Sequence, residues 1–171
     1  MNWRSPGPVE NSEMLARLVF HPVHLLKKKN EIKPNFFSHV HEQGCSIQRA
    51  DKLKLEEAHN LIQRFLRVAD DRCWIGTLNG NCVDVRNITT QFQVNRACAV
   101  YDTAEAGNRS HAELCQTEHI LDEADQAHLR YELMKAFGDG NVVPPSQLLD
   151  GAVWNSLPAE HRARPRRDLP T

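Results

Sequence analysis

The stretch Leu55 to Val85, LEEAHNLIQRFLRVADDRCWIGTLNGNCVDV, changes its period once, and that change sets the fold class. From Leu55 to Ala69 the apolar residues Leu55, Ala58, Ile62, Phe65, Leu66 and Ala69 recur at steps of three and four. Glu56, Glu57, Gln63, Arg64 and Arg67 fall between them, so one face is apolar and the other solvated, as in an amphipathic helix. Beyond Asp70-Asp71 the helical spacing stops. Cys73 to Leu78 and Cys82 to Val85 are rich in strand formers and flank Asn79-Gly80, a dipeptide that tolerates the positive φ angles of a tight turn. A helix followed by a hairpin is the expectation for this stretch.

Outward from it the same logic adds further elements. Met14 to Phe20 is a short apolar run stopped by Pro22, because the residue before a proline is driven toward extended conformations. It reads as a strand, as does Cys45-Ser46-Ile47-Gln48. Ala97 to Tyr101 is an uninterrupted apolar run suited to an interior strand, and His111 to Cys115 gives another after the Gly107-Asn108 break. A second helix is expected from Glu123 to Phe137: Asp122 caps its free amides, Leu129, Leu133, Ala136 and Phe137 form its buried stripe, and Gly138 follows its end. The sum is an α+β domain, a small mixed or antiparallel sheet of five or six strands packed by two main helices. Residues 1 to 12 read as a flexible leader and 13 to 140 as the single domain. Residues 141 to 171 form a Pro-bearing extension ending in Arg162, Arg164, Arg166 and Arg167 against Glu160 and Asp168. Within that extension Leu148, Leu149 and Trp154 are candidate interaction residues, since an isolated tryptophan either folds onto the core or anchors a partner.

Composition narrows the function classes. In 171 residues, 21 Lys and Arg face 22 Asp and Glu, a net charge of -1 that lacks the basic excess of a domain built to grip phosphate backbones, so nucleic acid is not an expected partner. No apolar run approaches the roughly 20 residues of a membrane helix. The Pro6-Gly7-Pro8 cluster interrupts any secretory leader, and a cytoplasmic location is expected. The five cysteines, Cys45, Cys73, Cys82, Cys98 and Cys115, are odd in number and contain no C-x-x-C, which favours buried thiols over a disulfide framework.

Several groupings bear on chemistry. His21, His24, His39, His41 and Cys45 are zinc-type donors at short separations, but their spacing matches no finger, so no metal is expected and hydrogen-bonded histidines are the plainer reading. His111-Ala112-Glu113 has the H-x-E form of zinc nucleobase deaminases, yet only Cys115 follows it, so the remaining ligands have no candidates. Cys45 beside His41 and Cys115 beside His119 are thiol and imidazole neighbours without a recognisable nucleophile elbow. Neither G-x-G-x-x-G nor G-x-x-x-x-G-K-[ST] is present, and no cofactor is expected. Arg17, Ser46 and Glu113 occur in the order of an Arg, Ser, Glu ADP-ribosyltransferase: an arginine for the phosphates, a serine for the ribose, a carboxylate for the oxocarbenium-like transition state. With His21 and His111, these are the candidate catalytic residues.

Arg17-Leu18-Val19-Phe20-His21-Pro22, Phe36-Phe37, Cys45-Ser46-Ile47 and Asn108-Arg109-Ser110-His111-Ala112-Glu113 stand in an order that resembles a broad group of small bacterial cytosolic proteins without an attached activity. The resemblance covers roughly residues 14 to 137. It implies a bacterial cytosolic origin and, by the habit of such groups, an accessory place in a multi-gene operon, defence-type ones included. The leading expectation is a non-catalytic accessory or adaptor subunit with a protein partner. The alternatives are a nucleotide-acting enzyme using Arg17, Ser46 and Glu113, and a zinc-stabilised domain.

Overall fold

A computed structural model describes residues 6–26, 31–66 and 73–144. Strands β1 (Met14–His21), β2 (Cys45–Arg49), β3 (Cys73–Asn81), β4 (Cys98–Asp102) and β5 (His111–Gln116) form one sheet in the order β3-β1-β2-β5-β4. Every pairing is antiparallel. Helices α1 (Leu55–Leu66), α2 (Cys82–Arg86) and α3 (Glu123–Ala136) complete the α+β architecture.

Strand alternation divides the sheet into two faces. Leu15 and Val19 of β1, Ile47 of β2, Leu78 of β3, Val100 of β4 and Leu114 of β5 point to one side, where they pack with Val85 of α2 and Leu129, Leu133 and Phe137. The Asp122 side chain accepts a hydrogen bond from the Asp125 amide, so α3 starts at its expected cap. On the other face a smaller cluster, Phe20, Trp74 and Ile62 with Leu18, seats α1 over β1 and β3. The open part of that second face carries the polar side chains of β2 and β5.

Asn79-Gly80 does not turn. β3 runs straight through it, pairing Asn79 with Ala16 and Gly80 with Leu15, and Cys82 to Arg86 is helical. Tertiary packing overrides the local turn preference: a Cβ at Gly80 would lie 2.5 Å from the Ala136 carbonyl oxygen, so this glycine lets the end of α3 press on the strand. The expected helix end at Ala69 lies outside the described residues.

Order also reaches beyond the expected domain limits. Val9 is 3% exposed, and Arg49 donates to the carbonyls of Gly7 and Pro8 while pairing with Glu13. Gly7, Pro8 and Val9 are therefore held against the domain. At the other end, Thr77 and Val143 exchange both backbone hydrogen bonds, so residues 142–144 flank the β3 edge. Leu148, Leu149 and Trp154 lie outside the described residues.

Candidate active site

β1 pairs with β2 only at Leu15↔Arg49 and Ala16↔Gln48. Further along, β1 stays in register with β3 as far as His21 while β2 stays with β5 back to Cys45, so the sheet splits between the two strands. A cleft of about 590 Å³ occupies this split. Leu18 and Phe20 of β1 and Leu61 of α1 give it an apolar wall. Ser46, Gln48, Asn108 and His111 give it a polar one, and Arg17, Arg64, His24 and His39 line it with nitrogen bases and cations, against Glu105 as the lining carboxylate.

Arg17 lies on the core side of the split. Its neighbours at i±2, Leu15 and Val19, are wholly buried in the main core, and its own exposure is 8%. The guanidinium bridges the gap, one amine donating to the Ser46 carbonyl at 3.2 Å and the other to the Phe36 carbonyl at 3.0 Å. Its Cζ lies 4.6 Å from the ring centre of Phe36 and 5.3 Å from that of Phe37. Nε is buried without a hydrogen-bond partner, and among the described residues no carboxylate pairs with Arg17. Burial pushes its pKa down, with the neighbouring Cys45 thiol opposing that shift. Burying a cation without a counter-charge is costly, and two carbonyls and two rings repay only part of that cost.

Across the split, Ser46 and His111 share the open face. Ser46 Oγ and His111 Nε2 are 3.2 Å apart. His111 Nδ1 lies 2.8 Å from Thr103 Oγ1 and 3.2 Å from the Thr103 carbonyl oxygen. The Glu105–Asn108 turn that joins β4 to β5 brings Thr103 back beside His111. Ser110, fully buried, donates its hydroxyl to Gln48 Oε1 at 2.7 Å, fixing that amide along the polar wall, and lies 3.4 Å from Asn108 Oδ1. Gly44 enters β2 at φ +92, and a Cβ there would strike Cys115 Sγ at 2.9 Å, so only glycine delivers the strand to Ser46 in this path.

The sequence-predicted residues therefore separate. Ser46 and His111 come together, and Arg17 reaches the same cleft from below. Glu113 shares the open face, opposite Ser46 in register, but its carboxylate lies toward Gly44 and does not line the cleft. Arg17 and Glu113 are on opposite faces of the sheet, so the Arg, Ser, Glu arrangement of an ADP-ribosyltransferase is not formed. Two strands that each place a correct residue type still differ by one residue in which face it takes. His21 ends β1 opposite Cys73 and does not line the cleft.

The zinc grouping disperses too. The Cys45 thiol turns into the core toward the Phe37 carbonyl, and burial raises its pKa. His41 bonds Gln116 through Nδ1, and burial lowers its pKa. His39 faces Glu42 at 3.5 Å. Among the described residues no group of three or more His, Cys, Asp or Glu is placed to hold a metal. Thr103, Gln48, Asn108 and Ser110 were missed in the sequence because nothing local marks them; strand register alone gathers them.

No protein-family model matches the chain, and no curated protein or solved structure is significantly similar to it. Among the described residues no helix is long and apolar enough to cross a membrane.

Proposed function

We propose that this protein is an enzyme acting on a small anionic molecule bound in the cleft between β1 and β2. A nucleoside monophosphate is the class of ligand its size and walls favour. The observation that carries the reading is the buried Arg17, without a carboxylate partner among the described residues, under a cleft that also holds the Ser46–His111 pair. A buried cation raises the potential of the cavity above it, and Arg64 adds to the same sign. Leu18, Phe20 and Leu61 supply an apolar wall for a base or other flat group, in a volume within the usual range of small-molecule sites. Ser46 and His111 are the polar pair facing whatever the cations hold.

Calorimetric titration of adenosine monophosphate and of pyrophosphate into the full chain tests this, alongside NMR of the histidine ring protons. Binding is expected to shift the rings of His24, His39 and His111, to weaken as salt rises, and to fall about tenfold in Arg64→Glu. Undisturbed rings at millimolar ligand of either kind would overturn it.

A second reading, an accessory subunit with a protein partner, is favoured by Phe92 and Val94, which are 83% and 95% exposed. The loop bearing them is pinned by the Thr90–Asn95 backbone hydrogen bond and by Thr90 Oγ1 donating to the Gln93 carbonyl. Both apolar side chains are thus held toward solvent. Light scattering with affinity capture, comparing the natural chain with Phe92→Ser/Val94→Ser, tests it. A monomer with an identical capture profile in both would remove this reading.

A further inference from the structure

We propose that Ser46 is a nucleophile activated by His111 and that the substrate is a carboxylic ester carrying an anionic group elsewhere in the molecule. The inference deepens the reading above and rests on the cleft binding such an anion. It starts from the direction of the hydrogen bonds around one imidazole. The Thr103 carbonyl can only accept and the nearer Thr103 Oγ1 can accept as well, so a neutral ring with its proton on Nδ1 satisfies both contacts. Nε2 then has a free lone pair, and the hydroxyl within reach of it is Ser46. A ring anchored through Nδ1 and presenting Nε2 to a serine is the geometry of a general base for that serine, with Thr103 as the positioning residue where other enzymes use a carboxylate.

The polar wall supplies what an acyl reaction needs next. The buried Ser110 hydroxyl donates its one proton to Gln48 Oε1 at 2.7 Å, which leaves the NH2 end of that amide as a donor, and Asn108 is the neighbouring amide, its Oδ1 3.4 Å from the same hydroxyl. Both amides line the cleft with Ser46 and His111. A neutral amide donor suits the single negative charge that develops on a carbonyl oxygen under attack. The cations lie along the same cleft, where they hold the distant anionic group and leave the ester beside Ser46.

The steps balance without a further reactant than water. As Ser46 Oγ bonds to the ester carbonyl carbon, its proton passes to His111 Nε2. The carbon to alkoxy-oxygen bond breaks, and the leaving oxygen takes that proton. Water then adds to the acyl-serine and gives one proton to Nε2. The serine to acyl bond breaks, the acid departs, and Nε2 returns the proton to Ser46 Oγ.

The test is reaction of the full chain with an alkyl fluorophosphonate, which a general-base-activated serine attacks with loss of fluoride. Peptide mass spectrometry locates the adduct and fluoride release gives the rate. An adduct on Ser46 is expected, absent in Ser46→Ala and at least 100-fold slower in His111→Gln. Thr103→Val, which keeps the carbonyl, is expected to slow labelling less than tenfold without moving the adduct. Circular dichroism checks that each variant folds, and the adduct site in the natural chain stands without any variant. No Ser46 adduct in the natural chain, or labelling indifferent to His111, overturns the proposal. If adenosine monophosphate still shifts the histidine rings in that case, the binding reading survives alone; if it does not, both fall.

Discussion

Replacing Arg17 by methionine separates the cost of a buried charge from its use. The substitution removes two charge-assisted hydrogen bonds, to the Ser46 and Phe36 carbonyls, at about 1.5–3 kcal/mol each. It also removes the stacking on Phe36 and Phe37, about 1 kcal/mol. Against this stands the relief of a desolvation penalty of several kcal/mol, in a site 8% exposed and without a carboxylate partner among the described residues. The opposing effects nearly cancel, and Arg17→Met is expected to change unfolding free energy by no more than about 2 kcal/mol. Arg17→Ala, which also opens a cavity between Phe36 and Phe37, is expected to cost about 3–5 kcal/mol. Ligand response should divergently report the function. With adenosine monophosphate at a hundred times its dissociation constant, the natural chain gains about 2.7 kcal/mol, or roughly 5–10 °C in Tm, and Arg17→Met gains almost nothing. Urea and thermal unfolding with and without ligand measure both quantities. An Arg17→Met chain destabilised by more than about 4 kcal/mol, together with a natural chain whose midpoint ignores the ligand, would mean that the guanidinium is a structural plug and nothing more.

Other outcomes follow from the packing. Glu13→Gln breaks the pairing with Arg49, whose side chain is 2% exposed, and is expected to cost about 3–5 kcal/mol by urea unfolding. Hydrogen bonding to Arg49 holds the Glu13 pKa below its ordinary 4.5, so its share of stability is complete above that pH and is lost as pH falls further. Acid unfolding of the natural chain should therefore steepen below about pH 4.5, and Glu13→Gln should flatten that limb; equal slopes would contradict the pairing. Gly80→Ala, forced against the Ala136 carbonyl, is expected to cost about 1–3 kcal/mol by urea unfolding, and an unchanged midpoint would contradict that contact. Burial raises the Cys98 pKa to about 12 and raises those of Cys45 and Cys82, so native-state alkylation at neutral pH should spare all three until the chain unfolds, as read by peptide mass spectrometry.

The amino-acid sequence by itself determined most of the elements. Proline after His21, the cap at Asp122, glycine at 138 and the apolar runs of β1, β2, β4 and β5 act within a few residues, and local signals of that kind survive into the folded chain. It also marked Ser46 and His111 as chemically suggestive. Only the tertiary structure decided what stands beside what. Asn79-Gly80 became mid-strand because β1 and α3 flank it, a long-range contact that a turn preference cannot register. Arg17 and Glu113 parted because a strand's two faces alternate residue by residue, and which face meets the core depends on partners far away in the chain. The cleft exists because β1 and β2 keep different partners after two shared pairs, and the Thr103–His111–Ser46 line exists because β4, β5 and β2 meet in one register. Spacing along a chain fixes how residues alternate, while free energy summed over distant contacts fixes which of them meet.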